Sequence, residues 1–160
     1  MVQLTDAQKQ RGEEVGTRRY RVNRQRNVTN RLVAVMDVEE QIQNDIYGAM
    51  AEVFVADLLN VPWSGEADSP DNIADVGEDI EVKCSQYKTA HLIVRPRRHR
   101  ADPTEYIKSH RYVLVTYDKR SLDFTFVGWI AGEEVMQDKF WKKDSWWVPQ
   151  AELNKELPHA

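Results

Sequence analysis

The chain has one cysteine, seven glycines and no long apolar run among its 160 residues. A single thiol excludes an internal disulfide framework and a thiolate zinc cluster, and it fits a reducing compartment. The histidines, His91, His99, His110 and His159, show no zinc-ligand spacing. No segment approaches the length of a membrane span, and the opening MVQLTDAQKQRGEE lacks the apolar stretch of a secretion signal. The expectation is therefore a cytoplasmic protein. The glycines nowhere gather into a phosphate-cradling loop, which argues against a P-loop nucleotidase.

What is present is charge, unevenly placed. Residues 1–35 hold eight Lys/Arg and three Asp/Glu, a local balance of +5, while the remainder holds 14 and 23, or −9. A basic arm on an acidic body fits a polyanionic partner, because attraction to phosphates needs a local patch rather than a basic average. A solvated helix that uses arginine for its helix propensity is the other reading. Arg18, Arg19, Arg21 and Arg24 are the candidate phosphate contacts in this arm. Arg95, Arg97, Arg98 and Arg100 form a second basic run, which reads as backbone-phosphate contacts or as a charged loop that keeps a sheet edge soluble.

The length fits one domain, with a basic helical arm over 1–35 and a core over 36–160. Thr5 and Gln8 have capping-box spacing and open a helix through the arginine-rich stretch. Its apolar pattern is thin, so the expectation is an exposed or loosely docked helix, broken near residue 27. Residues 37–60 place Ile42, Ile46, Ala49, Val53 and Ala56 at helical spacing. The loop VPWSGEADSP leads to strands near 71–76, 80–85 and 90–95. RYVLVTYD and DFTFVGWI then read as an antiparallel hairpin, and the tail is rich in aromatics. Together these give an α/β (α+β) fold with one central mixed sheet flanked by helices.

The stretch DNIADVGEDIEVKCS holds five acidic groups and one lysine. In IEVKCS, Ile80, Val82 and Cys84 alternate with Glu81, Lys83 and Ser85, so the first set faces a core and the second a polar face. Cys84 then reads as a small core residue rather than a nucleophile. A three-residue turn at 77–79 would pair Val76 with Ile80 and set Asp75 against Glu81 on one face, β-carbons about 4.5–5.5 Å apart, whereas a two-residue turn would pair Asp75 with Ile80 and break the pattern. Two carboxylates that close need a cation. Mg²⁺, with Mn²⁺ as a substitute, takes oxygen ligands and commonly uses one or two carboxylates. Lys83 lies two residues along the same face, where it can stabilise charge developing on a phosphate or help activate the attacking water. The alternative is an ordinary solvated sheet face.

Asp75, then Glu81-Val82-Lys83, with Glu52 in the preceding helix, resembles the PD-(D/E)xK nuclease superfamily; Ala74 stands where the motif's name has proline. The resemblance implies a restriction-endonuclease-like fold and Mg²⁺-dependent hydrolysis of DNA, RNA not being excluded. It makes Asp75, Glu81 and Glu52 the metal ligands, with Lys83, Glu81 and Asp75 catalytic, and allows a homodimer that cuts both strands. The layout from IYGAMAEVFVADLLN to WWVPQAEL is also similar to small phage-encoded proteins, which implies an origin in a virus acting inside its host. Two further functions compete: a nucleic-acid-binding module of the same fold without activity, and a phage structural or host-interaction protein.

Other candidates are weaker. Asp79 is an alternative ligand or a turn residue. His91 begins a strand near the motif and reads as a phosphate contact or as surface. Trp129, Trp141, Trp146 and Trp147 suit a core or an interface better than base stacking.

Overall fold

The computed structural model describes residues 2–25, 37–65, 73–97 and 101–159. Strand β1 (Val2–Gln3) leads into helix α1 (Asp6–Gln25). The Thr5–Gln8 box opens that helix: the Gln8 N–H donates to Thr5 Oγ1 at 3.2 Å and the Thr5 N–H to Gln8 Oε1 at 2.9 Å. Helix α2 (Val38–Leu58) starts at Asp37, whose carboxylate accepts the Glu40 N–H at 2.8 Å.

Helix α1 is not loosely docked. Val15 is fully buried, and a β-carbon on Gly16 would fall 2.4 Å from the Ile46 α-carbon. On Gly12 it would fall 2.7 Å from the Met50 side chain. The helix shows little apolar pattern because the contact is backbone against α2, made by residues with no side chain. The expected break near residue 27 lies outside the described residues.

After α2 come β2 (Ile80–Ser85), β3 (Leu92–Val94), the single-turn α3 (Glu105–Lys108), β4 (Arg111–Tyr117) and β5 (Asp123–Ala131). The short α4 (Gly132–Val135), β6 (Trp141–Lys142) and β7 (Ser145–Val148) complete the regular elements of the described residues, apart from two 3₁₀ turns. The expected β4–β5 hairpin is present, with Tyr117 opposite Phe124 nearest its turn. The expected strand over 71–76 is reduced to one antiparallel bridge, Val76 to Ile80; residues 71 and 72 are not described. Gly77 opens that three-residue turn at φ 60°, a backbone conformation costly for side-chain-bearing residues.

The single central sheet expected from the sequence is replaced by two. A mixed four-stranded sheet runs β1-β5-β4-β2, with β2 parallel to β4, and an antiparallel three-stranded sheet runs β3-β7-β6. The aromatic tail gives β3 an antiparallel partner in β7, and the crossover through β3 and α3 leaves β2 to pair with β4. Val113 and Val115 of β4 face a core shared with both long helices, whereas Tyr112 and Leu114 face a second core with Leu92, Val148 and Ile107. A strand covered on both faces reads as an unbroken apolar run, as RYVLVTY nearly does. No described helix is long and apolar enough to cross a membrane.

Candidate active site

Burial decides the character of this region. Glu52 is 5 % exposed on α2, and Glu81 is 5 % exposed on β2. Glu81 therefore does not lie on an ordinary solvated sheet face, the alternative reading of the strand: Tyr112 lies beside it on β4, and the phenol of Tyr106 covers it. Both carboxylates need partners, since a buried charge without them is costly.

Glu52 receives a two-pronged contact from Arg19, with Nη1 to Oε1 at 2.5 Å and Nη2 to Oε2 at 2.8 Å. The Trp63 indole N–H donates to Oε2 at 3.0 Å. Arg19 follows Gly16 by three residues, so the glycines that admit α2 also aim this guanidinium at it. A β-carbon on Gly48, one turn before Glu52, would meet nothing; the close helix–helix approach belongs to Gly12 and Gly16.

Glu81 accepts a short hydrogen bond from the Tyr106 hydroxyl, and Arg97 lies 3.8 Å from its other oxygen. The Arg97 guanidinium sits 3.7 Å over the Tyr106 ring, and the His110 ring stacks on that ring at 3.8 Å. Two planar groups that close to one centroid must take opposite faces, so the phenol is clamped. Burial, then its bond to Glu81, pushes the Tyr106 phenol well above its usual range, which keeps it a donor. His110 Nδ1 contacts the Tyr106 carbonyl at 2.6 Å.

Asp75 precedes the turn, and its Oδ2 accepts the Val82 N–H at 2.8 Å. Burial, then the charges of Glu52 and Glu81, pushes its carboxyl up to about 8, against the opposing pull of Lys83 and the Val82 N–H. Asp75 is thus within electrostatic reach of both glutamates. Cys84 packs against the first core, and burial with the Glu52 charge pushes its thiol up to about 12, so it stays protonated.

Asp75 and Glu81 offer oxygen ligands only, the donor type that a hard divalent cation takes. Among the described residues no group of three His, Cys, Asp or Glu is placed to hold an ion. A cation on Asp75 and Glu81 would complete its shell with water and phosphate oxygens, the usual manner of Mg²⁺.

The remaining predicted residues are dispersed. Asp79 is a turn residue, engaged by Arg111 through two contacts of 2.7 Å. Arg18, Arg21 and Arg24 are exposed on α1, whereas Arg19 points inward to Glu52 and is no free phosphate contact. Arg95 is exposed, Arg97 belongs to the Tyr106 clamp, and Arg98 and Arg100 lie outside the described residues. Lys83 and His91 line one cleft with Trp147. Trp129 packs on the first core and Trp146 on the second, while Trp141 is exposed and meets Trp146 edge-on at 4.7 Å. Sequence reasoning missed Trp63 and Tyr106 because nothing in local spacing marks a residue that reaches across the fold. No protein-family model, curated protein or solved structure matches this chain.

Proposed function

We propose that this chain is a Mg²⁺-dependent nuclease that hydrolyses phosphodiester bonds in DNA. The observation that carries the reading is that Asp75 accepts the Val82 N–H at 2.8 Å and so is held against the strand stretch Glu81-Val82-Lys83. When bound, the cation supplies charge neutralisation at the phosphate and a more acidic water. The protein's own part is to hold and orient. Asp75 and Glu81 are the ligands, and Glu52 deepens the negative field behind them. Tyr106 and Arg97 fix the Glu81 carboxylate, and the Lys83 ammonium stabilises charge that builds on the phosphate in the transition state. Exposed Arg18, Arg21, Arg24 and Arg95 contact backbone phosphates. Under this reading α2, β2, β4 and β5 form a restriction-endonuclease-like core.

A second reading, a nucleic-acid-binding protein without cleavage, is favoured by one observation: Glu52 and Glu81 are already engaged by arginine, tryptophan and tyrosine donors. Labelled linear, nicked, flapped and four-way DNAs incubated with Mg²⁺, with Mn²⁺ and with EDTA separate the two. Ion-dependent products support the nuclease; binding without products under every condition supports the second reading.

A further inference from the structure

We infer that the cleft beside Lys83 holds an unpaired nucleobase, so that the strand to be cut enters single-stranded or frayed. The inference takes its substrate from the nuclease reading, but its binding test stands apart from cleavage. A cleft of about 420 Å³ is lined by residues of both sheets, from β2 and β4 and from β3 and β7. Lys83 and Leu114, neighbours across β2 and β4, form one side. Ile93 and Trp147, neighbours across β3 and β7, form the opposite side.

The remaining side is the turn after β2, and it is tied down. The Gln150 side-chain amide donates to the Lys88 carbonyl at 2.7 Å and the Ala90 carbonyl at 3.0 Å. Trp147 is held as well: its indole N–H donates to the Lys142 carbonyl at 3.1 Å, and His91 meets its ring edge-on at 6.3 Å. Tyr87, at the rim, is 66 % exposed. Lys142 Nζ lies over the Trp147 ring at 5.3 Å, so the fixed, half-exposed indole keeps its other face, beside the exposed Tyr87, for a flat ligand.

The volume falls in the usual range for a small-ligand site, roughly 300–1,000 Å³. An ammonium and an imidazole beside aromatic faces match a phosphate joined to a base. A base inside a duplex has both faces covered by its neighbours, so only an unstacked one can lie on Trp147. Lys83 belongs to both places, as a residue of the cleft and as the lysine two residues beyond Glu81 on β2.

The test is fluorescence anisotropy of a labelled oligothymidylate and of a blunt hairpin duplex, in EDTA so that nothing is cut. Wild type should prefer the single strand. Trp147→Ala should weaken it roughly ten-fold or more, the size of a lost base stack, without moving the duplex. Trp147→Phe should restore most of the affinity. Tyr87→Ala, at an exposed rim that carries no core, should weaken the single strand in the same direction and serves if Trp147→Ala fails to fold. Equal affinity for the two DNAs, or single-strand affinity unchanged in the folded variants, overturns the inference. Single-strand preference lost in the variants, with no cleavage by wild type in Mg²⁺, upholds the cleft and removes only the nuclease.

Discussion

Arg19 of α1 grips both carboxylate oxygens of Glu52 on α2, at 2.5 and 2.8 Å, and so ties the basic helix to the acidic site. Their side chains are 22 % and 7 % exposed, so removing the guanidinium strands a buried charge. Arg19→Ala should cost about 3 kcal/mol, the lower end for breaking a buried pair because the arginine is partly wet. Arg19→Met combined with Glu52→Gln should recover most of that loss, since no charge is then left alone. Urea denaturation of the three variants checks both statements.

Gly16→Ala should destabilise although alanine favours an isolated helix by about 1 kcal/mol. The new β-carbon would stand 2.4 Å from the Ile46 α-carbon, and neither backbone can yield without separating the helices. A loss of about 1–3 kcal/mol is expected from overpacking. A gain in thermal melting temperature would show that α1 does not rest on α2 as described.

Asp75 makes stability depend on pH. Its folded carboxyl titrates at about 8, against about 4 for an unfolded aspartate. Between those values the native state binds more protons, so stability falls as pH rises from roughly 4 to roughly 8. Asp45 adds in the same direction up to about 6, burial being the main cause. Asp75→Asn keeps an acceptor for the Val82 N–H and should flatten the decline. Divalent-ion binding near pH 7 should release a proton, because the ligand must be ionised. Calorimetry in buffers of different ionisation enthalpy reads that proton directly.

Tyr106→Phe removes the donor to Glu81 while keeping the ring between Arg97 and His110. Leaving that buried carboxylate short of a partner should cost about 1–3 kcal/mol near neutral pH. An unchanged unfolding midpoint would show that the phenol contributes nothing to holding Glu81.

Much of this was legible in the chain wherever a local rule applied. The Thr5–Gln8 box, the apolar spacing of α2 and the β4–β5 hairpin follow from capping, period and turn chemistry. The turn that sets Val76 against Ile80 follows from the alternation of IEVKCS. What failed was long-range. A thin apolar pattern concealed that α1 packs through glycines, and nothing near the motif indicated that Arg19, Trp63 and Tyr106 would reach its acids. Alternation placed Glu81 on the polar face of β2 but could not show that Tyr106 and Tyr112 cover it, because a strand's pattern does not reveal what lies over that face. The second sheet was missed since β3 takes its partner from the far end of the chain, Leu92 against Val148.

The most direct measurement of the central claim is single-turnover cleavage of labelled DNA by wild type and Lys83→Ala, in Mg²⁺ and in EDTA, with binding measured beside it. The account predicts cleavage by wild type that requires the ion, and a rate for Lys83→Ala lower by roughly 10²–10³-fold at nearly unchanged affinity, as for the loss of a group that acts on transition-state charge. Wild-type cleavage that persists in EDTA, or an equal rate in Lys83→Ala, would contradict it.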